Sequence, residues 1–297
     1  MKRSNVSPTV SVIIPNHNYG KYLRQTIESV LGQAGVSLDV IVVDNGSTDN
    51  SLQVLERFGE NIRVFAQNDQ GQAAARNVGL VHAKGTHIAF LDADDYWEPT
   101  KLVTQLGLMS DSVQLVYSGI RIFDDFTGRT ISTIEPTFRG DARFEYLTNP
   151  VRSLPPGGES SVVISNALFK KVGFFDERLS SASGRDYFRR CSTLTSFDFT
   201  PELFVNYRKH GNNQSRNLEK LQNNTKKAYE ILFDDPVWEF SKPYLRSCWT
   251  KLHISVIKTY LKRFAIRKAL IEVLEYRYHI LNREKSLRMQ NGKEKLV

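Results

Sequence analysis

The sequence predicts an α/β fold, a mostly parallel sheet buried on both faces and flanked by helices. Three observations predict it. First, Val10 to Ile14, Val40 to Val43, Ile62 to Phe65 and His87 to Leu91 are short apolar runs, rich in β-branched residues and free of alternation, the pattern of strands covered on both sides. Second, helix-like stretches, Lys21 to Gln33, Ser51 to Phe58 and Gln72 to Ala83, lie between them. Alternation of buried strand and helix calls for parallel pairing through right-handed crossovers. Third, polar residues follow the first, second and fourth runs: Pro15-Asn16-His17-Asn18, then Asp44-Asn45-Gly46-Ser47-Thr48-Asp49, then Asp92-Ala93-Asp94-Asp95. Ligands in such sheets bind outside the carboxyl ends of the strands. The three tips therefore predict one acidic pocket.

After Pro99 the pattern changes to a helix from Thr100 to Met109, a strand from Val113 to Ile122 and a mixed region to about Val205. Within it Leu154-Pro155-Pro156-Gly157-Gly158-Glu159 reads as a loop, and Ser183-Gly184-Arg185-Asp186-Tyr187 as a helix start with Ser183 as N-cap. From about Leu218 helical periodicity dominates, with apolar residues such as Leu252, Ile257, Leu261 and Leu270 threaded among lysines and arginines. Residues 1–217 are thus expected to form one domain, a change of pattern dividing a first half (1–98) from a second (99–217). Residues 218–297 are expected to form a basic helical extension, its polar end fraying after Arg288.

The 297 residues suffice for a substantial core. Cys191 and Cys248 form no metal-ligand or redox spacing, so no disulfide framework is implied. The basic start MKRSNVSPTV lacks the apolar core of a signal peptide, and nowhere do eighteen apolar residues run together. The expectation is a cytoplasmic protein, at most peripheral at the inner face of the cell membrane. The formal charge is +8, yet residues 241–297 hold fourteen Lys/Arg against four Glu, a net of +10 that leaves −2 for residues 1–240. Nucleic acid, an anionic membrane surface or an anionic substrate each match such a tail, as does a solvated basic helix face.

The stretch FLDADDYW places Asp92, Asp94 and Asp95 within four positions at the end of a buried strand. Mutual repulsion makes such a cluster costly to ionise without a counter-charge. A hard divalent cation, Mg²⁺ or Mn²⁺, supplies one and leaves positions open for phosphate oxygens; capping of the following helix is the alternative. DNGSTD raises the same choice: a Gly-containing turn presenting donors to a base or ribose, or an Asx turn with Asp49 as N-cap. No G-x-G-x-x-G or G-x-x-x-x-G-K-[ST] pattern occurs at a strand-to-helix turn, which disfavours a dinucleotide oxidoreductase or a P-loop NTPase.

In order, VSVIIPNHNYGKYLRQTIESVLGQ, VIVVDNGSTDNS, QGQAAARNVGL, AKGTHIAFLDADDYWEP, KVGFFDERL and YRKHGNNQS resemble the family 2 glycosyltransferases across most of residues 9–216. The resemblance implies a GT-A fold, a nucleoside-diphosphate sugar donor (a UDP-sugar first among them), Mn²⁺ or Mg²⁺, and inversion at the anomeric carbon. It implies a glycan or lipid-linked acceptor, as in surface polysaccharide or glycolipid assembly in the cell envelope, and no nucleic acid. By motif position Pro15 and His17 line the nucleotide pocket, and Asp44 and Asn45 contact the base; many relatives carry a second Asp where Asn45 stands. Arg76, Asn77 and Asp92 lie close to the donor, Asp94 near ribose and metal, Asp95 on the metal, and His210 over metal or diphosphate.

The family's catalytic base maps onto Asp186, with Arg185 where relatives carry Glu. That arginine is expected to lower the pKa of Asp186 if the side chains meet, or to hold an anionic acceptor. Gly158 and Glu159 face the acceptor by family position, and Trp97 is a candidate to stack on a sugar or to serve in the core. The rivals are a non-catalytic sugar-nucleotide-binding or scaffolding protein, favoured by Arg185, and a nucleotidyltransferase. PNHNYGKY, with one Gly and one Lys, disfavours the latter.

Overall fold

The computed structural model describes residues 10–150, 154–156, 158–211, 213 and 218–277. Gly157, the expected frayed end after Arg288 and parts of the YRKHGNNQS motif lie outside them. The described residues divide into two compact units, one of residues 10–143 and 154–224, the other of residues 144–150 and 225–277. These limits differ from the linear division expected after residue 217. The two halves of the expected catalytic domain share one sheet and form one unit, and a short segment near residue 145 belongs with the chain's last helices.

The first unit opens with β1 (Val10–Asn16), α1 (Gly20–Leu31), β2 (Leu38–Asn45), α2 (Ser51–Glu56), β3 (Arg63–Gln67), α3 (Gln72–His82) and β4 (His87–Phe90). The strands pair in parallel in the order β3-β2-β1-β4, Ile13 lying opposite Ile41 on one side and Phe90 on the other. Every residue of β1 is buried, as expected of a strand with helices on both faces. On one face α1 contributes Leu23, Ile27 and Val30, spaced i, i+4, i+7 and fully buried; each stabilises by about 1.5–3 kcal/mol. On the other face α3 lies so close that a Cβ on Gly79 would overlap the Ile13 side chain. The chain steps outward from β1 to β3 and returns to the opposite side of β1 with β4. That reversal opens a cleft at the strands' carboxyl ends.

The unit continues through β5 (Tyr96–Trp97), α4 (Lys101–Leu106), β6 (Val113–Asp124) and β7 (Thr130–Ile134). After α5 (Arg143–Thr148) come a 3₁₀ turn at Glu159–Ser161, β8 (Val162–Ser165), α6 (Asn166–Val172), α7 (Ser183–Cys191) and β9 (Ser196–Lys209). These strands extend the sheet as β4-β8-β6-β9-β5, with β7 on β6; β8 runs antiparallel to β4 and β6, and β9 parallel to β6. The mixed region of the sequence thus hides a 14-residue strand. Ser183 is the first helical residue of α7, and the N-cap is Ala182, without a side-chain bond.

The second unit has its own core of Leu147, Tyr229, Leu232, Trp238, Trp249 and Leu252. It is built from α8 (Leu218–Asp234), a 3₁₀ stretch (Pro236–Tyr244), α9 (Leu245–Lys262) and α10 (residues 266–277). The Tyr229 hydroxyl donates to the Tyr146 carbonyl at 2.7 Å. α10 turns back along α9, Glu272 meeting Nδ1 of His253 at 2.5 Å and Nζ of Lys226 at 2.7 Å.

Candidate active site

Two cavities of about 290 and 190 Å³ open at the carboxyl ends of the parallel strands and share Pro15, Tyr19 and Gln72 as wall. Together they approach the size of a small-molecule site. The larger is walled by His17, Asn45 and Asp69, the smaller by Asp92, Asp94, Glu159 and Asn213.

The first strand tip is locked to the second by its own polar groups. Nδ2 of Asn16 donates to Asp44 at 2.7 Å, and Asp44 also accepts from the backbone N and hydroxyl of Ser47 at 3.0 and 2.6 Å. Asp44 is 2% exposed and on the wall of neither cavity, so the structure does not bring it to the place expected of a base contact. Its carboxylate is spent holding the turn. Asn45 does reach the wall, steadied by Gln67 and Asp69 at 2.6 and 2.7 Å. His17 lies beside it, Nδ1 at 2.7 Å from the Asn45 carbonyl.

At the end of β4 the three carboxylates separate. Asp94 faces the smaller cavity, with Nε2 of His210 at 2.9 Å and Nδ2 of Asn213 at 3.3 Å from Oδ2. Asp95 turns inward. Its oxygens accept from the Ser160 hydroxyl at 2.9 Å and the Arg208 backbone N at 3.1 Å, and it is 1% exposed. The expected trio of Asp94, Asp95 and His210 therefore does not converge. Among the described residues no three His, Cys, Asp or Glu side chains gather as a ready metal cage.

Asp92 is held by Arg76 at 2.8 Å, and the same guanidinium reaches Glu159 at 2.9 Å. A fork between two carboxylates is geometry that arginine supplies and lysine does not. Burial pushes the Asp92 carboxyl up, Arg76 pulls it back, and Glu159 and Asp94 raise it again, to about 6. Burial, then Asp94 and Asp92, lift Asp95 well above the carboxylate range and the Tyr19 phenol with it. Those upward shifts are the signature of excess negative charge in a poorly solvated place.

Asn77 is on the wall of neither cavity. Its amide clamps the turn ahead of α7, donating to the Phe175 carbonyl at 3.0 Å and Glu177 at 2.8 Å while accepting from Phe175 N at 2.9 Å. Trp97 belongs to the core, 2% exposed, its indole N–H on the Ser160 carbonyl at 2.8 Å. Gly158 adopts φ 70° at the entry to the 3₁₀ turn that carries Glu159. A Cβ on Gly184 would overlap Oε1 of Glu159, so glycine there makes room for that carboxylate over the first turn of α7.

Asp186, in that same first turn, is 2% exposed and on the wall of neither cavity. Arg189 and Arg190, one turn on, grip its two oxygens at 2.5 and 2.9 Å. Arg185 precedes it and is half-buried. Tyr19, Gln72, Asp69 and Asn213 line the cavities without having been singled out. Tyr19 and Asn213 stand inside the motifs NHNYG and HGNNQ, two and three positions after His17 and His210, which were.

The family model described as glycosyl transferase family 2 matches residues 11–172. The chain belongs to that family. The glycosyltransferase is 29% identical over 215 residues, 71% of its length, to an uncharacterized glycosyltransferase of Rickettsia typhi, of which the match covers 67%. It is 41% identical over 112 residues to a putative teichuronic acid biosynthesis glycosyltransferase, TuaG, of Bacillus subtilis, covering 36% of this chain and 44% of that one. Among solved structures it superposes on S. aureus TarS in complex with UDP-GlcNAc, with a TM-score of 0.64 at 20% identity, over 83% of this chain and 73% of that one. It superposes likewise on the mannosyltransferase PcManGT of Pyrobaculum calidifontis in complex with GDP-Man and Mn²⁺, with a TM-score of 0.61 at 16% identity, over 92% and 83%. The family 2 glycosyltransferase thus has the GT-A fold that its sequence predicts. The chain spans 43% of a longer TarS structure. No helix among its described residues is long and apolar enough to cross a membrane.

Proposed function

We propose that this glycosyltransferase moves a sugar from a nucleoside-diphosphate sugar, a UDP-sugar first among the candidates, to a hydroxyl of a glycan or lipid-linked acceptor, with inversion, in surface polysaccharide assembly. The observation that carries the reading is Asp94 and His210 meeting at 2.9 Å at the switch point of the sheet, beside the cavity walled by His17 and Asn45. The base would occupy the larger cavity and the diphosphate the smaller. TuaG's name favours polysaccharide as the product, and the donors held by TarS and PcManGT favour a nucleotide sugar without choosing its base.

The donor set suits a divalent ion. One carboxylate and one imidazole, hard oxygen and nitrogen, leave the remaining positions to diphosphate oxygens, the habit of Mg²⁺ and Mn²⁺. Bound there, the ion would neutralise charge on the departing nucleoside diphosphate. Asp94 and His210 hold it in this reading, Asp94 lining the smaller cavity, whereas Asp95 is 1% exposed and lines neither cavity.

As the acceptor oxygen bonds to the anomeric carbon, the bond to the diphosphate oxygen breaks and its electron pair leaves with the nucleoside diphosphate. Asp186 takes the acceptor proton. Because Arg189 and Arg190 occupy both its oxygens, it does so only once one grip opens. A second reading gives the proton to Glu159, which lines the smaller cavity. Asp186→Asn and Glu159→Gln separate the two: the base is the residue whose loss lowers kcat about a hundred- to ten-thousandfold with donor affinity unchanged. A panel of nucleoside diphosphates and nucleotide sugars giving no Mn²⁺- or Mg²⁺-dependent stabilisation would overturn the donor and metal assignments alike.

A further inference from the structure

α10 is amphipathic the wrong way round for a helix in water. Its inner face buries Ala269 and Glu272, at 5% and 3% exposure, while Ile266, Leu270 and Leu274 stand outward at 62, 62 and 66%. Water-soluble helices put their apolar stripe on the core. Here one charge, Glu272, is inside beside Tyr276, held by His253 and Lys226, while Ile266, Leu270 and Leu274 are outside. The turn joining α9 to α10 continues the patch with Leu261 at 50% and Phe264 at 89% exposure. Phe264 stands at φ 56°, a left-handed backbone that phenylalanine rarely adopts, which makes it the tip of a helical hairpin.

Among the described residues from 254 to 277 the exposed charge around the patch is mostly basic. Lys258, Lys262, Arg263, Arg267 and Lys268 are all exposed. The acidic residues between 254 and 277 are Glu272 and Glu275, and Lys226 pairs with both at 2.7 Å. Exposed apolar patches of this kind mark interaction surfaces, and bases ringing apolar side chains are what an anionic bilayer selects. A second copy of the chain fits poorly, because two such rims would face each other with like charge.

We infer that the tip of the α9–α10 hairpin docks on an anionic lipid surface, Phe264, Ile266 and Leu270 entering the interface while Lys262, Arg263 and Arg267 meet headgroup phosphates. The hairpin lies on the membrane and does not span it, consistent with the absence of a crossing helix among the described residues. The inference goes beyond the proposed reaction, and its test uses no catalysis.

The full chain is floated with vesicles of phosphatidylcholine containing phosphatidylglycerol, and with vesicles of phosphatidylcholine alone. At least about tenfold greater partition onto the anionic vesicles is expected, weakening with salt. Phe264→Asp with Leu270→Asp should abolish it while leaving the melting temperature unchanged, because both side chains are exposed. Lys262→Glu with Arg263→Glu should do the same through charge. Equal recovery with the two vesicle types overturns the inference, as does vesicle binding that survives both variant pairs. A melting temperature lowered by Phe264→Asp would mean that folded protein covers the tip, and a dimer in solution that the same change dissociates would give the patch to a second copy; either result also overturns it.

Discussion

Nε2 of His210 lies 2.9 Å from Oδ2 of Asp94, across 116 residues of chain. The pair joins the end of β9 to the end of β4 and brings the last motif of the sequence onto the fourth. His210 is further seated by the rings of Tyr19 and Tyr22, whose centroids are 5.7 and 5.0 Å away. If the pair holds the ion, His210→Ala and Asp94→Asn each weaken nucleoside diphosphate binding at least about tenfold in Mn²⁺. In a chelator, His210→Ala and wild type should then bind alike. Titration calorimetry in the two buffers checks this, and an undiminished metal effect in His210→Ala counts against it.

Arg76 is 1% exposed and serves both Asp92 and Glu159. Its removal leaves two part-buried carboxylates, 26% and 14% exposed, without their counter-charge, so Arg76→Met is expected to cost about 1–3 kcal/mol by urea denaturation. Arg76→Lys should recover only part, because an ammonium cannot fork.

Gly184 offers a sharper test of the Glu159 position. Alanine is the better helix former by about 1 kcal/mol, yet Gly184→Ala is expected to destabilise, its Cβ overlapping the Glu159 carboxylate. In a Glu159→Ala background the same change should be neutral or stabilising, a sign reversal that a double-mutant cycle measures directly.

The buried ion pairs of the second unit set a pH window. Burial alone would raise Glu272, but bonds from His253 and Lys226 hold it below its ordinary 4.5. A carboxylate lowered by folding stabilises fully above its unfolded value and loses that contribution as pH falls through the folded one. Burial alone would lower Lys226, but Glu272 and Glu275 raise it above 10.5, so its contribution is lost only as pH climbs past that value. Stability from this cluster is therefore expected to hold from about 4.5 to about 10.5 and to fall at both ends. Glu272→Gln should flatten the acid limb in a pH series of denaturation midpoints.

The parallel half of the fold was legible because β1, β2 and β4 are buried on both faces and so read as short, mostly apolar runs. β9 was not, since Pro201 and register shifts near Gly119 break its pattern, and antiparallel insertion of β8 between β4 and β6 leaves no local mark. At the site, residue types were readable and directions were not. Asp94 and Asp95 are neighbours in one turn, and one faces the cavity while the other is spent on Ser160 and Arg208. Asp44 and Asn77 carry the right letters at the right spacing, yet they line neither cavity and brace neighbouring turns.

Ser160 gives that bracing a practical edge. Its hydroxyl accepts from Asp92 N at 3.1 Å and donates to Asp95 at 2.9 Å, while its carbonyl takes the Trp97 indole. The turn expected to face the acceptor is thus bolted to the acidic floor by one small residue. Anyone transplanting acceptor loops between relatives must carry residues 158–161 as a single cassette, because a graft that severs them at Ser160 would exchange specificity for a loosened floor.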